Sequence, residues 1–378
     1  MSEPRIIAFY LPQFHPIPEN DEWWGKGFTE WTNVARAKPL FRGHYQPKLP
    51  ADLGFYDLRV PETRKYQAEL AKEAGIEGFC YYHYWFGSEN TPRELMQMPF
   101  NEVVRTHEPD FPFCLCWANH SFEKKMWDSK TAFSDKTILV EQKYYGTADY
   151  EAHFYSLLDA FKDSRYIKVN GKNLFVIYDP KSIPDISGFM DCWNNLARQN
   201  GVPEFCFVAY LYYNDYSLLD NSIYSLFEAK IYHSASILYN NIDLSFFRKN
   251  MLRVKRVMSS VFRTPMYKMD YDAERKRLVP PVNDRRDVIP EILSGFDHSP
   301  RTGRMRLILH NFTPDSFYRH IMDIFSWLKN NKGGFNNLVF LKSWNEWGEG
   351  NYMEPDMKYG KGYIKSLREA IRKFKDLK

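Results

Sequence analysis

Short apolar runs alternate with amphipathic segments along most of this chain. The runs at 6–11, 76–85, 111–117, 173–178, 205–212 and 338–341 have the length and composition of buried strands. The segments at 61–74, 149–162, 186–199 and 313–328 place apolar residues at helical spacing. This alternation is typical of βα units and a parallel sheet. A length of 378 residues suits one large (β/α)8 TIM barrel with extended loops, an α/β fold that we predict to span 1–378 as a single domain.

Two stretches interrupt the alternation. Residues 12–58 contain six prolines, which exclude a continuous helix, and a loop this long within a compact domain is usually functional. Residues 246–264 contain six basic and no acidic residues, with apolar residues at helical spacing. We predict a basic amphipathic helix here, within a helical insertion around 240–290. Such a helix suits either an anionic membrane surface or the outside of the barrel.

Composition narrows the function classes. A net charge of +4 gives no global field that would favour nucleic acid. The five cysteines are an odd number and mostly lie in apolar runs, which indicates buried free thiols and a reducing compartment. The sequence shows no signal peptide and no apolar stretch long enough to cross a membrane, so we predict a cytoplasmic protein.

The sequence W-N-E-W-G-E-G at 344–350 holds two carboxylates, Glu346 and Glu349, directly after the last apolar run. Its tryptophans disfavour the alternative interpretation, a solvated turn with two surface glutamates. Burial at a strand end raises the pKa of a carboxyl group, and a neighbouring carboxylate raises one of the pair further. We therefore expect an acid and a base, with Gly348 allowing the turn that brings both into one pocket.

Further polar and aromatic residues follow the predicted strands, at the edge where barrel enzymes carry out their chemistry. His83, Trp117 and Asn119 either contact a sugar or pack within the barrel. Asp179 either binds hydroxyl groups or caps the next helix, and Glu30 either lines the pocket or stabilises its own loop. Tyrosine and tryptophan, abundant in this chain, suit stacking on sugar rings.

Other chemistries lack their sequence signatures. No H-x-x-x-H, H-E-x-x-H or C-x-x-C spacing occurs, so we predict no metal site. A G-x-S-x-G nucleophile elbow is absent, and no G-x-G-x-x-G or phosphate-binding loop follows a strand. We expect no cofactor.

Four segments together resemble the WbsX-type proteins, which are related to glycoside hydrolase family 99, the endo-α-mannosidase family. They are F-Y-L-P-Q-F-H-P-I-P-E-N-D-x-W-W-G-K-G-F-T-E-W-T-N-V (9–34), G-F-C-Y-Y-H-Y-W-F (78–86), G-F-D-H-S-P-R (295–301) and W-N-E-W-G-E-G with M-E-P (344–355). The resemblance covers most of the chain except roughly 217–293. It implies a (β/α)8 barrel without metal or organic cofactor.

The resemblance also implies roles for individual residues. Glu346 would help the 2-hydroxyl of the substrate attack the anomeric carbon, giving a 1,2-anhydro sugar with net retention, and Glu349 would be the general acid/base. Gly348 stands where the hydrolases often carry histidine. Strand ends and resemblance together predict a set of substrate-binding residues: Tyr10, Glu30, Trp31, His83, Trp85, Trp117, Asn119, Asp179, Tyr210, Asp297, Trp344, Asn345, Trp347 and Glu354.

Three functional hypotheses follow. The first is an enzyme of the family 99 type that acts with retention on α-mannoside-like bonds of an oligosaccharide or polysaccharide. The second is a glycosyltransferase that builds bacterial O-antigen or capsule, with peripheral contact to the inner membrane or a lipid-linked glycan through the basic helix. The third is a non-catalytic glycan-binding barrel.

Overall fold

A ring of short parallel strands forms the centre of the computed structural model, which describes residues 3–89, 91, 93–124, 137–211, 221–240 and 264–376. In chain order the strands are β1 (Arg5–Tyr10), β2 (Gly78–Trp85), β3 (Phe113–Trp117), β4 (Lys172–Ile177), β5 (Phe205–Leu211), β6 (Ala229–Tyr232), β7 (Val288–Ile289), β8 (Glu291–Leu293) and β9 (Leu338–Lys342). Their order in the sheet is β7-β6-β5-β4-β3-β2-β1-β9-β8.

The ring is completed at Pro290. Strand β7 pairs with β6, and β8 pairs with β9, yet only Pro290 separates β7 from β8 along the chain. Proline has no N–H to donate to a neighbouring strand, so the ladder is interrupted there. Its carbonyl still accepts a hydrogen bond from Phe340 N at 3.1 Å. The two short strands occupy one position in the sheet, which gives a nearly closed barrel with eight positions and confirms the predicted fold class.

Helices surround the barrel. They are α1 (Pro18–Trp24), α2 (Glu30–Arg36), α3 (Pro61–Ala74), α4 (Met98–Thr106), α5 (Thr147–Ser156), α6 (Leu158–Lys162), α7 (Ile186–Gln199), α8 (Ser234–Asn240), α9 (Tyr271–Glu274), α10 (Ser299–Thr302), α11 (Pro314–Asn330) and α12 (Gly362–Lys373). Helix α11 begins with a capping box in which Thr313 and Ser316 satisfy each other's backbone N–H groups. None of the helices in the described ranges has the length and apolarity needed to cross a bilayer.

Several sequence predictions differ from the structure. The loop at 12–58 contains α1 and α2, which are short enough to fit between its prolines. Residues Leu307–His310 form a strand outside the barrel, in a separate three-stranded sheet with Tyr267–Asp270 and Phe296–Asp297. The basic helix predicted at 246–264 lies, apart from Thr264, outside the described residues.

Side chains alternate between the two faces of the barrel wall. Phe9 of β1 points inward and contacts Tyr82 and Tyr210 across the barrel, with ring centroids 5.3 and 5.6 Å apart. The neighbour of Tyr82 on β2, His83, points outward and contacts His153 of α5. Because successive residues of a strand face opposite sides, this phase decides which strand-end residues reach the mouth of the barrel.

Candidate active site

The two glutamates of the W-N-E-W-G-E-G stretch lie on a hairpin that follows β9. Asn345–Glu346 pairs with Asn351–Tyr352 in antiparallel fashion, and a 3-10 turn at Trp347–Glu349 connects them. Gly350, with φ of 62°, takes the left-handed conformation that the turn needs. We had expected Gly348 to permit the turn, and this expectation was wrong.

Gly348 is instead required by close packing. A Cβ atom at this position would lie 2.0 Å from Glu30 Oε1 and 2.8 Å from Arg301 Nε. Glu30 comes from α2 and Arg301 from α10, so the absence of a side chain lets an ion pair from two distant segments approach the hairpin. At Gly348, the position for which the resemblance implies a difference from the hydrolases, Glu30 and Arg301 therefore occupy the space that a side chain would need.

Arg301 is the centre of the charged cluster. Its Nε and Nη2 atoms donate to the two carboxylate oxygens of Glu30, each at 3.1 Å. Its Nη1 atom donates to Glu349 Oε1 at 2.6 Å and lies 3.5 Å from Glu346 Oε1. All four side chains are largely buried, and this guanidinium brings both predicted catalytic carboxylates into one site.

Glu346 has two further contacts. Ser343 Oγ donates to Glu346 Oε2 at 3.0 Å, and Lys342 Nζ lies 3.6 Å from the same oxygen. Lys342 is the last residue of β9, and its side chain is only 6% exposed. The carboxylate is thereby fixed in one orientation at the carboxyl end of the barrel.

Glu349 is held as a carboxylate. His298 Nε2 lies 3.1 Å from Glu349 Oε1, the oxygen that also accepts from Arg301. Burial alone would raise the pKa of Glu349, but the charges of His298 and Arg301 outweigh burial and hold the pKa well below its usual range. The sequence suggested a raised pKa at this strand end because it does not show that His298 and Arg301, from a distant segment, lie beside Glu349.

At Glu354 the pKa is raised instead. It is fully buried behind the hairpin and accepts hydrogen bonds from Tyr56 Oη, Gln67 Nε2 and Trp347 Nε1 at 2.9, 2.6 and 2.6 Å. Burial raises the pKa of Glu354 to about 7, although these hydrogen bonds partly oppose it. Its contacts are those of a support for the hairpin.

We expect Glu354 to make stability depend on pH. A carboxyl group with a raised pKa binds its proton more tightly in the folded state. Its contribution is therefore complete below about pH 4.5 and is lost as the pH rises through about 7. Relative to Glu354→Gln, the free energy of unfolding of the wild type should fall by ~3 kcal/mol between pH 4.5 and 8. Urea denaturation across this range measures it; parallel pH profiles for the two proteins would contradict the assignment.

Four other residues predicted to contact substrate make internal contacts in or around the hairpin: Trp31, Trp344, Asn345 and Trp347. Asn345 accepts from Leu11 N at 2.8 Å and donates to Leu11 O at 3.0 Å, which fixes the end of β1. Trp347 stacks on Tyr352 with ring centroids 3.8 Å apart and contacts Trp31, whereas Trp344 packs on Phe79. The sequence predicted sugar contacts for these side chains, but the structure places them within the protein.

Tyr10, His83, Trp85 and Trp117 also lie in the outer layer. Tyr10 Oη donates to Gln67 of α3 at 2.7 Å. His83 Nε2 lies 2.9 Å from His153 Nε2, and burial lowers the pKa of His83 to about 3. The indole groups of Trp85 and Trp117 donate to Asp149 Oδ1 and to the carbonyl of Trp85. These four residues belong to the interface between barrel and helices.

Asn119 and Asp179 contact each other beyond β3 and β4. Asn119 Nδ2 donates to the carbonyl of Asp179 at 2.7 Å, and Asn119 Oδ1 accepts from Asp179 N at the same distance. The amide of Asn119 also donates to Ser182 Oγ and Tyr144 Oη. These bonds saturate the Asn119 amide, whereas the Asp179 side chain stays partly exposed, and burial raises its pKa.

Tyr210 belongs to a second inward-facing cluster, which also contains residues that the sequence reasoning missed. Its hydroxyl donates to Glu291 Oε2 at 2.6 Å and lies 3.0 Å from His233 Nδ1. Glu291 also accepts from the backbone and hydroxyl of Ser234 at 3.0 and 2.6 Å. Tyr210 stacks on the partly exposed Tyr178, with ring centroids 4.9 Å apart. This cluster joins β5, β6 and β8 beside the irregular strand at Pro290.

Asp297 supports the hairpin from the opposite side. Its Oδ2 atom accepts from Gln46 Nε2 at 2.7 Å and lies 2.8 Å from His44 Nε2. Burial raises the pKa of Asp297, but its hydrogen bond with His44 and the charge of Lys48 outweigh burial and lower it. Lys48 Nζ in turn donates to the carbonyl of Gly350 at 3.2 Å.

The sequence reasoning also missed Arg301, His298, Lys342 and Ser343 as site residues. Arg301 and His298 lie in the G-F-D-H-S-P-R segment, whose basic side chains were the available signal. In the resulting arrangement the carboxylates of Glu346 and Glu349 lie beside the cations of Arg301 and Lys342 at the mouth of the barrel. This arrangement is suited to proton transfer at a polar substrate. Among the residues that the structure describes, no group of three or more potential ligands is placed to hold a metal ion.

Comparison with known sequences extends over nearly the whole chain. The sequence model of the family described as Glycosyltransferase WbsX matches residues 6–367. The WxcX proteins of two Xanthomonas campestris pv. campestris strains are 33% identical over 374 and 378 residues, covering 98% of this chain and 50% of each relative. The chain thus spans about half the length of the curated relatives it matches.

Comparison with solved structures supports the fold. The GH99 endo-alpha-mannosidase from Bacteroides thetaiotaomicron superposes with a TM-score of 0.54 at 12% identity, covering 99% of this chain and 98% of that one. A glycoside hydrolase-like protein superposes with a TM-score of 0.56 at 14% identity, covering 98% and 94%. At such identities the likeness shows a shared barrel fold. The match over residues 6–367, in contrast, shows that the chain belongs to the WbsX glycosyltransferase family.

Proposed function

We propose that this chain is a carbohydrate-active enzyme that acts with retention on α-mannoside-like bonds of a glycan. The observation that carries the proposal is the shared contact of Glu346 and Glu349 with one nitrogen atom. Their Oε1 atoms lie 3.5 and 2.6 Å from Arg301 Nη1, so they are no more than about 6 Å apart. This upper bound lies below the roughly 6.5–9.5 Å that inverting enzymes need to admit a water molecule between their carboxyl groups.

The roles that the family resemblance implies are compatible with this arrangement. Glu346, fixed by Ser343 and Lys342, would accept the proton of the substrate 2-hydroxyl as that oxygen attacks the anomeric carbon. Glu349, whose side chain is 13% exposed, would exchange protons with the group that leaves or enters.

A second candidate is transfer of the sugar to another glycan instead of to water. The family description names a glycosyltransferase. The low pKa of Glu349, which His298 and Arg301 maintain against burial, also favours a base that deprotonates an acceptor hydroxyl. Both candidates use the same two carboxylates, so the choice between them lies in the acceptor.

Product analysis tests the proposal. The protein is incubated with mannose-containing oligosaccharides, and separately with activated sugar donors plus acceptors, and products are followed by NMR. We expect a first-formed product with the anomeric configuration of the donor. An inverted first product would refute the retaining mechanism. Ligand binding without turnover in every panel would instead indicate a glycan-binding barrel.

A further inference from the structure

Arg301 has a fixed place between the candidate catalytic carboxylates. Its side chain is 3% exposed, and two of its nitrogen atoms are engaged by Glu30. Its third nitrogen atom, Nη1, meets Glu349 and Glu346 on the hairpin. A guanidinium is rigid and planar, so binding two nitrogen atoms on one side determines where the third one points.

Glu30 and Gly348 together make this placement possible. Glu30 is fully buried, so its contact with Arg301 is internal and not part of a solvent-exposed surface. A side chain at residue 348 would overlap the Glu30 carboxylate and the Arg301 guanidinium. The chain thus leaves space at Gly348 for an ion pair whose Arg301 Nη1 atom reaches Glu349.

We infer that Arg301, anchored by Glu30, is a positioning residue that keeps Glu349 ionised, so that Glu349 serves as a base towards an acceptor hydroxyl. This inference rests on the proposed function, and it narrows the class of donor that the site can use.

The groups around Glu349 favour the ionised form. Arg301 and His298 contact the same oxygen, at 2.6 and 3.1 Å, and the charge of Lys342 from β9 adds to theirs. The charge of Glu346, on the same hairpin, disfavours the ionised form of Glu349. Arg301 and Lys342 offset this charge because they lie 3.5 and 3.6 Å from the two carboxylate oxygens of Glu346. Glu30 of α2 adds a further carboxyl group on the other side of Arg301. Tyr84 of β2 also interacts with the charge of Glu349, and burial keeps its hydroxyl neutral by raising its pKa.

Ionised Glu349 can receive a proton. As an acceptor hydroxyl attacks the anomeric carbon, its oxygen forms the new bond, and its proton passes to a carboxylate oxygen of Glu349. The bond between this carbon and the 2-oxygen, formed in the preceding half-reaction, breaks, and the 2-oxygen keeps the electron pair and takes back the proton that Glu346 had accepted. Charge and protons balance without any further reactant.

Ionised Glu349 has no proton for the leaving group in the other half-reaction. A leaving oxygen that is a weak base, such as a phenolate or a phosphate, can depart without one. The oxygen of an alkyl glycoside departs poorly because it would leave as a strong base. The site therefore fits donors whose leaving group is the conjugate base of an acidic hydroxyl, such as that of a phenol or a phosphate.

The first test is the titration of Glu349 in the ligand-free protein. Glutamate labelled with 13C at the carboxyl carbon is followed by NMR, and Glu349→Gln identifies the signal. The variant Glu30→Gln/Arg301→Met removes one charge of each sign and so preserves the local balance. We expect Glu349 to titrate at a higher pH in this variant than in the wild type, because the cation that contacts its carboxylate is gone.

The second test compares donors. We expect the wild type to prefer 2,4-dinitrophenyl α-mannoside over methyl α-mannoside. In the double variant this preference should fall at least ~10-fold, which corresponds to a change of one unit in the pKa of Glu349. An unchanged titration of Glu349, or an unchanged preference, would overturn the inference. If neither donor reacts, the proposed function fails, and the titration alone decides the role of Arg301.

Discussion

Replacing Glu349 by glutamine is expected to lower the rate of turnover of the preferred glycan at least ~10²-fold, the usual scale of general acid–base catalysis. Glutamine keeps the shape of the side chain but cannot accept the proton of an acceptor hydroxyl. Its amide can still accept a hydrogen bond from Arg301, which now contacts Glu349 Oε1 at 2.6 Å. Ligand affinity, measured by calorimetry, should change much less than the rate constant.

Glu346→Gln should produce a loss of similar size, because the 2-hydroxyl then lacks its base. Glu102→Gln on the surface of α4 serves as the matched control, since the Glu102 side chain pairs with the exposed Arg105. Full activity in either Glu346→Gln or Glu349→Gln, at a concentration where the control is also fully active, would exclude that residue from the chemistry.

Removing the Arg301 side chain is expected to destabilise the protein severely. Arg301→Met should lower the free energy of unfolding by ~3–5 kcal/mol, the cost of breaking a buried ion pair by deleting one partner. The variant would leave Glu30 fully buried, next to Glu346 and Glu349, without the guanidinium that contacts all three. Urea denaturation at neutral pH, compared with the wild type, measures the loss.

The double variant Glu30→Gln/Arg301→Met provides the control. It removes the buried partner together with the cation, so it should regain a substantial part of the lost stability. Arg301→Lys should lie between the wild type and Arg301→Met, because an ammonium group keeps the charge but cannot bind Glu30 through two parallel hydrogen bonds. An Arg301→Met protein as stable as the wild type would show that the cluster contributes little to folding.

The roles of strand-end residues were harder to predict than the strands. His83, Trp85 and Trp117 were predicted to contact a sugar, but they face α5 and α7, whereas Tyr82 and Tyr210 face the barrel interior. Parallel barrel strands are buried on both faces, so their sequences lack the alternation of polar and apolar residues that would reveal the inward side. A one-residue error in phase moves every side chain to the opposite face.

The segment around Pro290 was missed for a different reason. A run of apolar residues interrupted by proline does not look like one strand, and the structure forms two strands of two and three residues there. Each pairs with a different neighbour, so the position exists only as part of the closed ring. Pairing between distant segments decided this element, and local sequence preference did not.

The sequence by itself determined the order of six barrel strands, and the position of Glu346 and Glu349 at the carboxyl end of β9. Both follow from patterns that span a few neighbouring residues. Only the tertiary structure decided which charged groups surround these two carboxylates and thereby set their protonation, because Arg301 lies 45 residues before Glu346 and 271 after Glu30. Electrostatic interactions depend on distance in space and on burial, and these become defined only when the barrel closes and brings α2, α10 and the hairpin together.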